Sequence, residues 1–378
     1  MHRRTFAASL LAAPLLAQPP VITQALSQFK VPAVTAVVAS PSKLLYSGAI
    51  GVPLQAIFSV ASLTKAITTL ATLQLVEQGK LSLDEPVKNH FPELAQLPVL
   101  ESLTILRPAQ TKITLRHLLT HTSGLAYTTW DPLLAKYRHS KPAPTGLLPL
   151  RFDPGTGWTY GTSVDWAGRL VETISGLNLE AYFQRYIFTP LEMKDTSFVL
   201  TRAKFPRFVT NQRRQPSGLL RPDPRRPVPP AQVFTGGGGL YSTAPDYAKF
   251  LQFILDPKPS SILQTDTVRL MTANQIGALD VPELPTSYPN VTANLRLNPD
   301  PQARDKFTFG FLLNPVAYPG GRSAESLAWA GSNNAYFWID PARQLCAVLL
   351  MQFQPFLDPA AVSTLRAFEN AVYRSFPK

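Results

Sequence analysis

Residues 62–81 constrain the fold more than any other stretch of the chain. Leu63, Ala66, Ile67, Leu70 and Leu73 recur at helical spacing. Gly79 stands where such a helix would end, with Leu81 just beyond it as a hydrophobic partner. A helix that is apolar on nearly every side has to be surrounded by protein. The 378 residues can supply that surround, as one large or two ordinary domains. Against this background a lysine on the first turn is unusual. Ser62 and Lys65 are three residues apart and share a helix face, which brings an amine against a hydroxyl. That arrangement is one way to make a weak nucleophile attack a carbonyl.

Ser-x-x-Lys alone is a cheap pattern, and this chain contains it four times. Ser40 is followed by Pro41, which moves it out of helical space. Ser375/Lys378 falls at the C-terminus, and Ser27/Lys30 ends a short helix just before Val31-Pro32. Only Ser62 opens a sustained helical pattern.

The first residues read as an address. His2-Arg3-Arg4 precedes an uncharged stretch, 7–16, and a small residue, Ala17. Residues 1–17 are therefore expected to be a signal peptide, with Arg3-Arg4 suggesting twin-arginine export to the periplasm or beyond. The apolar run is too short to span a bilayer. Cys346, the only cysteine, excludes an internal disulfide, and its apolar neighbours read as a buried strand. The net charge of +12 is concentrated in arginines and a lysine between 202 and 226, within a proline-rich stretch. No stacking aromatics alternate with them and no nucleic-acid motif accompanies them, so a solvated surface segment is expected and no nucleic-acid partner.

Strand signals lie at both ends of the chain, at 34–39 and 44–47, then at 307–313, 326–329, 335–339 and 345–352. Helical patterns with long proline-bearing connections occupy the middle, and an amphipathic helix closes the chain at 360–375. The expected fold class is α+β: one antiparallel sheet built from both termini and flanked by helices, with an inserted, mostly helical subdomain. The boundaries implied are 18–85 and 235–378 for the sheet-bearing part and 86–234 for the helical part. Together, 18–378 form one catalytic unit with its site in the cleft.

Acyl transfer also needs proton handling and an oxyanion hole. The turn 152–162 places Tyr160 just before a helix at 164–175, in the field of a helix end. Trp329-Ala330-Gly331-Ser332 ends a strand, and a glycine there often marks a close backbone approach. The backbone amides of Ser62 and Ser332 are the expected oxyanion donors. Tyr127, Trp130, Trp158, Trp329 and Tyr336 flank these motifs and suit either an acyl pocket or core packing. His117 and His121 are four apart, but the Glu of His-Glu-x-x-His is missing. No metal and no cofactor are expected, and the two histidines more simply buttress the turn at Ser123-Gly124.

These segments, taken in order, resemble the class C β-lactamase and penicillin-binding-protein superfamily. The resemblance rests on 58–65, 113–125, 152–160, 190–196 and 237–243, and it covers nearly all the chain after the leader. It implies the β-lactamase/DD-peptidase fold, Ser62 as acylated nucleophile, and Lys65 and Tyr160 as the proton-transfer pair. Two departures matter. The family's Tyr-x-Asn element reads Tyr160-Gly161-Thr162, and its Lys-Thr-Gly or His-x-Gly triplet reads Trp329-Ala330-Gly331. The Trp-x-Gly version is similar to the family VIII carboxylesterases. It implies a small-molecule ester substrate, with Trp329, Gly331, Thr162 and Tyr127 at the substrate and no obligate protein partner. Arg322 lies nearby in sequence and keeps a D-alanyl-D-alanine carboxypeptidase or weak β-lactamase open as alternatives. An idle binding module of the same fold is the non-enzymatic reading.

Overall fold

The computed structural model describes residues 19–140, 147–223, 234–258 and 262–377. The leader call at 1–17, along with Arg225 and Arg226 of the basic stretch, lies outside the described residues.

Seven strands form the main sheet: β1 (Val34–Ala39), β2 (Leu44–Ile50), β3 (Lys306–Phe307), β4 (Leu312–Asn314), β5 (Ser326–Gly331), β6 (Ala335–Asp340) and β7 (Leu345–Met351). Their order is β2-β1-β7-β6-β5-β4-β3, and every neighbouring pair is antiparallel. The sheet thus joins both ends of the chain. The central pairing is β1 with β7, where Val37 faces Val348 and Ala39 faces Cys346. Every residue of these two strands is buried, as expected of strands covered on both faces by helices. The continuous strand expected at 307–313 is instead two short ones. Gly310 breaks it with φ 90°, and a Cβ there would lie 3.1 Å from Thr69 Oγ1.

The described helices are α1 (Pro20–Ser27), α2 (Thr64–Glu77), α3 (Leu115–Thr120), α4 (Pro132–Ser140), α5 (Ser163–Ser175), α6 (Leu179–Phe183), α7 (Ala244–Leu255), α8 (Thr265–Thr272) and α9 (Pro359–Ser375). The buried α2 ends as its sequence requires. The Gly79 amide donates to Val76 O and the Lys80 amide to Leu75 O, with Gly79 at φ 69°. Those two bonds satisfy carbonyls that the last turn would otherwise leave open. The start of α7 is capped by Thr243, whose hydroxyl accepts from the Asp246 amide at 3.2 Å.

Helices cover both sides of the sheet. On one side Phe337 of β6 packs on Tyr247 of α7, and on the other Trp338 packs on Phe368 of α9. The middle of the chain is not uniformly helical: Gln212–Arg214 and Leu220–Pro222 pair with each other, and the first also lies parallel to Phe353–Gln354. Among the described residues no helix is long and apolar enough to cross a membrane.

Candidate active site

The nucleophile candidate sits in a turn, not in the α-helix itself. Ala61–Leu63 form one 3-10 turn, and α2 begins at Thr64. Ala61 takes φ 48°, a left-handed conformation that a residue with a side chain adopts at a cost of about 1–3 kcal/mol. The turn is pinned on several sides. Val60 N donates to Leu240 O at 3.0 Å, and Thr64 Oγ1 donates to Ala61 O at 2.7 Å. Tyr247 Oη donates to Leu63 O at 2.9 Å. Ser62 is left half-buried, with its hydroxyl at the crevice.

Lys65 is 1 % exposed. Its ammonium donates to Gly237 O at 2.6 Å, to Tyr127 Oη at 3.3 Å and to Ser62 Oγ at 3.4 Å. Burial acts most strongly to depress its pKa, but Tyr127, Tyr160 and Asp165 together outweigh it, and the group ends above the ordinary lysine value. Its neighbours thus favour the ammonium over the neutral amine. Asp165 stands one step behind: Oδ1 accepts from Gly237 N at 3.0 Å and Oδ2 from Tyr127 Oη at 3.5 Å. The glycine run wraps this centre. Gly236 O accepts from Thr68 Oγ1 at 2.7 Å, and a Cβ on Gly236 would come within 2.6 Å of Val164 O.

Tyr160 reaches the same crevice through two loops that zip together. Arg151 N donates to Gly124 O, Gly155 N to Thr122 O, Thr159 N to His121 O and Tyr127 N to Tyr160 O. Arg107 grips the second loop through both carboxylate oxygens of Asp153, at 3.0 and 2.8 Å. Gly161 permits the closest approach, since a Cβ there would lie 1.9 Å from Leu125 O. The Tyr160 ring centre is 4.9 Å from Lys65 Nζ, and its buried hydroxyl interacts with that amine without a well-aligned hydrogen bond to any described residue.

An aromatic wall closes the site. His121, Trp329, Tyr127 and Trp130 surround the Tyr160 ring at 4.9, 5.1, 5.3 and 5.6 Å between centres. His121 is fully buried, and burial, aided by Lys65, holds its pKa well below the usual imidazole value. It is a neutral ring of the wall. His117 instead accepts from Thr114 N and closes the capping box of α3. No metal-holding cluster exists among the described residues.

The β5–β6 hairpin runs beside the segment that leads into the Ser62 turn. A Cβ on Gly331 would lie 2.4 Å from Val60 O, and Asn333 Nδ2 donates to Ser59 O at 3.3 Å. Ser332 lies between those two anchors. Thr162 is half-buried at the head of α5 and gives that helix no side-chain cap. Arg322 is not at the crevice. Its guanidinium is bound to Glu369 of α9 at 3.0 Å and lies over Tyr318 and Trp338, on the other side of the sheet. Sequence reasoning missed Asp165, Gly237 and the direct bond from Lys65 to Tyr127. The only local signal for them is the glycine run 236–239, whose tight backbone suits close packing beside a pocket.

A half-buried serine beside a buried lysine, walled by tyrosines under the end of an antiparallel strand, defines a serine enzyme of the β-lactamase fold. The Beta-lactamase family model matches residues 20–371, and the chain belongs to that family. It is an enzyme of the serine-hydrolase and acyl-transfer class. Monacolin J acid methylbutanoyltransferase of Aspergillus terreus is 35% identical, over 84% of this chain and 82% of the relative. Lovastatin esterase of Penicillium rubens is 32% identical, over 84% and 85%. The solved structure of unliganded simvastatin synthase from Aspergillus terreus superposes with TM-score 0.82 at 30% identity, over 96% of this chain and 100% of that one.

Proposed function

We propose that Ser62 is acylated by a small carboxylic ester and that the chain is a carboxylesterase. The observation that carries this reading is the 3.4 Å contact between Ser62 Oγ and a buried ammonium that no carboxylate touches directly. An ammonium cannot accept a proton, so Lys65 is not the first base in the resting state. Tyr160, as a phenolate beside the Lys65 ammonium, takes the Ser62 proton as Ser62 Oγ bonds to the ester carbonyl carbon. The Lys65 charge holds Tyr160 in that phenolate form, which the transferred proton neutralises. The amides of Ser62 and Ser332 hold the oxyanion. As the tetrahedral centre collapses, the ester's alcohol leaves with the proton held by Tyr160. Water then repeats the sequence and releases the acid. Tyr127 belongs to this proton network more than to a substrate pocket. Trp329, Gly331 and Thr162 flank the acyl group.

Acyl transfer to an alcohol is a second reading, favoured by the 35% identity to a methylbutanoyltransferase. The two share the acyl-enzyme and differ only in the acceptor. The peptidase and β-lactamase alternatives lose their main support, because the Arg322 guanidinium is engaged by Glu369. Export, with 1–17 as leader, stands as a further proposal that cell fractionation tests.

p-Nitrophenyl butanoate, nitrocefin and a D-Ala-D-Ala peptide separate these readings. We expect ester cleavage, no peptide release and negligible nitrocefin turnover, with Ser62→Ala inactive and folded. Full activity in Ser62→Ala ends the assignment. Butanoyl transfer to an added alcohol that outpaces hydrolysis selects the second reading.

A further inference from the structure

A second cavity lies between the sheet and α9, lined by Tyr318, Arg322, Trp338, Arg366 and Glu369, with Trp329 at its edge. Its free volume is about 60 Å³. A single water needs roughly 10–15 Å³ of such space.

The polar lining is one-sided. Tyr318 Oη and Trp338 Nε1 find no hydrogen-bond partner among the described residues, although the two residues are 8 and 1 % exposed. Folded proteins leave few buried polar groups unpaired, because each one costs free energy. The Trp338 indole N–H can only donate. The charges are skewed as well. Arg296, Arg322 and Arg366 line the space against a single acid, Glu369, which is bound to Arg322. Arg296 pairs with Glu283 outside this lining. Arg366, exposed, has no carboxylate partner among the described residues. The rest of the wall is aliphatic, from Leu297, Val362 and Leu365.

Unpaired donors and surplus positive charge call for an anionic acceptor, and the aliphatic wall calls for a short apolar chain behind it. We propose that this cavity binds a short-chain carboxylate at a second site, distinct from the Ser62 crevice. The claim rests on the lining alone and does not require the esterase reading. Trp329 is common to both places: its ring packs on Tyr160 on the crevice side, and the residue stands at the edge of the cavity lining.

The test is isothermal titration of the full chain with butanoate, with butanamide as the neutral control. Butanoate binds and butanamide does not. Tyr318→Phe and Arg366→Gln each weaken butanoate by about tenfold or more. Ser62→Ala leaves the affinity unchanged. Arg366 is exposed, so its variant still decides the matter if Tyr318→Phe fails to fold. No butanoate binding, equal binding of butanamide, or an affinity that Arg366→Gln leaves intact overturns the proposal and makes the cavity a water-filled void.

Discussion

Two buried cations lie on opposite sides of β5 and β6, and they are satisfied in opposite ways. Arg322 meets a carboxylate directly: Glu369 Oε1 accepts from both its Nε and its backbone amide, at 3.0 and 3.1 Å. Lys65 meets only neutral oxygens, those of Gly237, Tyr127 and Ser62, and its nearest acid stands behind Tyr127 and Gly237. A carboxylate in contact cancels a cation's field at short range, whereas carbonyl and hydroxyl dipoles hold the cation and leave its field usable. The first arrangement fastens α9 to the sheet. The second leaves a charge beside a serine and a phenol.

That contrast predicts opposite mutational signatures. The largest effect is expected from Lys65→Met. We expect ester turnover to fall by about 10³–10⁴-fold. Thermal stability should hold or rise, because a buried charge gives way to a side chain of similar length. Loss of stability with activity intact would reverse the roles of the two cations. Glu369→Ala should behave in the mirror-image way. It strands the Arg322 charge and should cost about 3–5 kcal/mol on denaturant unfolding. The rate at which a fluorophosphonate labels Ser62 should stay near that of the unaltered chain at temperatures where the variant is folded.

Asp305 sharpens the comparison with an acid whose burial is only partly compensated. Burial raises its pKa to about 6, against an opposing bond from Asn298 Nδ2 at 2.7 Å and the more distant Arg322 and Arg296. A carboxyl with a raised folded-state pKa favours the folded state least where it is ionised. Stability contributed by protonated Asp305 is therefore present below its unfolded value near 4 and lost as pH rises through about 6. Asp305→Asn should raise stability by up to about 3 kcal/mol at pH 7–8, and by little at pH 4. Unfolding curves at the two pH values check this, and an equal effect at both would refute it. The smallest effect is expected from Tyr127→Phe. It removes one of three acceptors from Lys65 and should lower kcat by about tenfold, less than Tyr160→Phe. A greater loss from Tyr127→Phe than from Tyr160→Phe would exchange their roles.

Much of this was legible in the sequence for local reasons. The β1 and β7 strands are short apolar runs bounded by turn residues, and α2 carries its own stop signal at Gly79. Ser62, Lys65, Tyr160 and Ser332 stand on local motifs, and the structure gathers the first three around one buried amine. What escaped depends on contacts distant in the chain. Gly310 breaks the 307–313 run because α2 passes beside it, which nothing in Phe307-Thr308-Phe309-Gly310-Phe311 declares. Arg322 is ten residues from Ser332 but is drawn away by a glutamate 47 positions further on. Asp165 bonds to Gly237 across 72 positions, and no local pattern distinguishes it from an ordinary acidic residue in a first helical turn.

The most direct test is the intact mass of the enzyme, acid-quenched during turnover of p-nitrophenyl butanoate. The expected result is one added butanoyl group on the peptide bearing Ser62, absent in Ser62→Ala and accumulating to a lower level in Lys65→Met. Steady turnover with the butanoyl group carried on another residue would contradict the account.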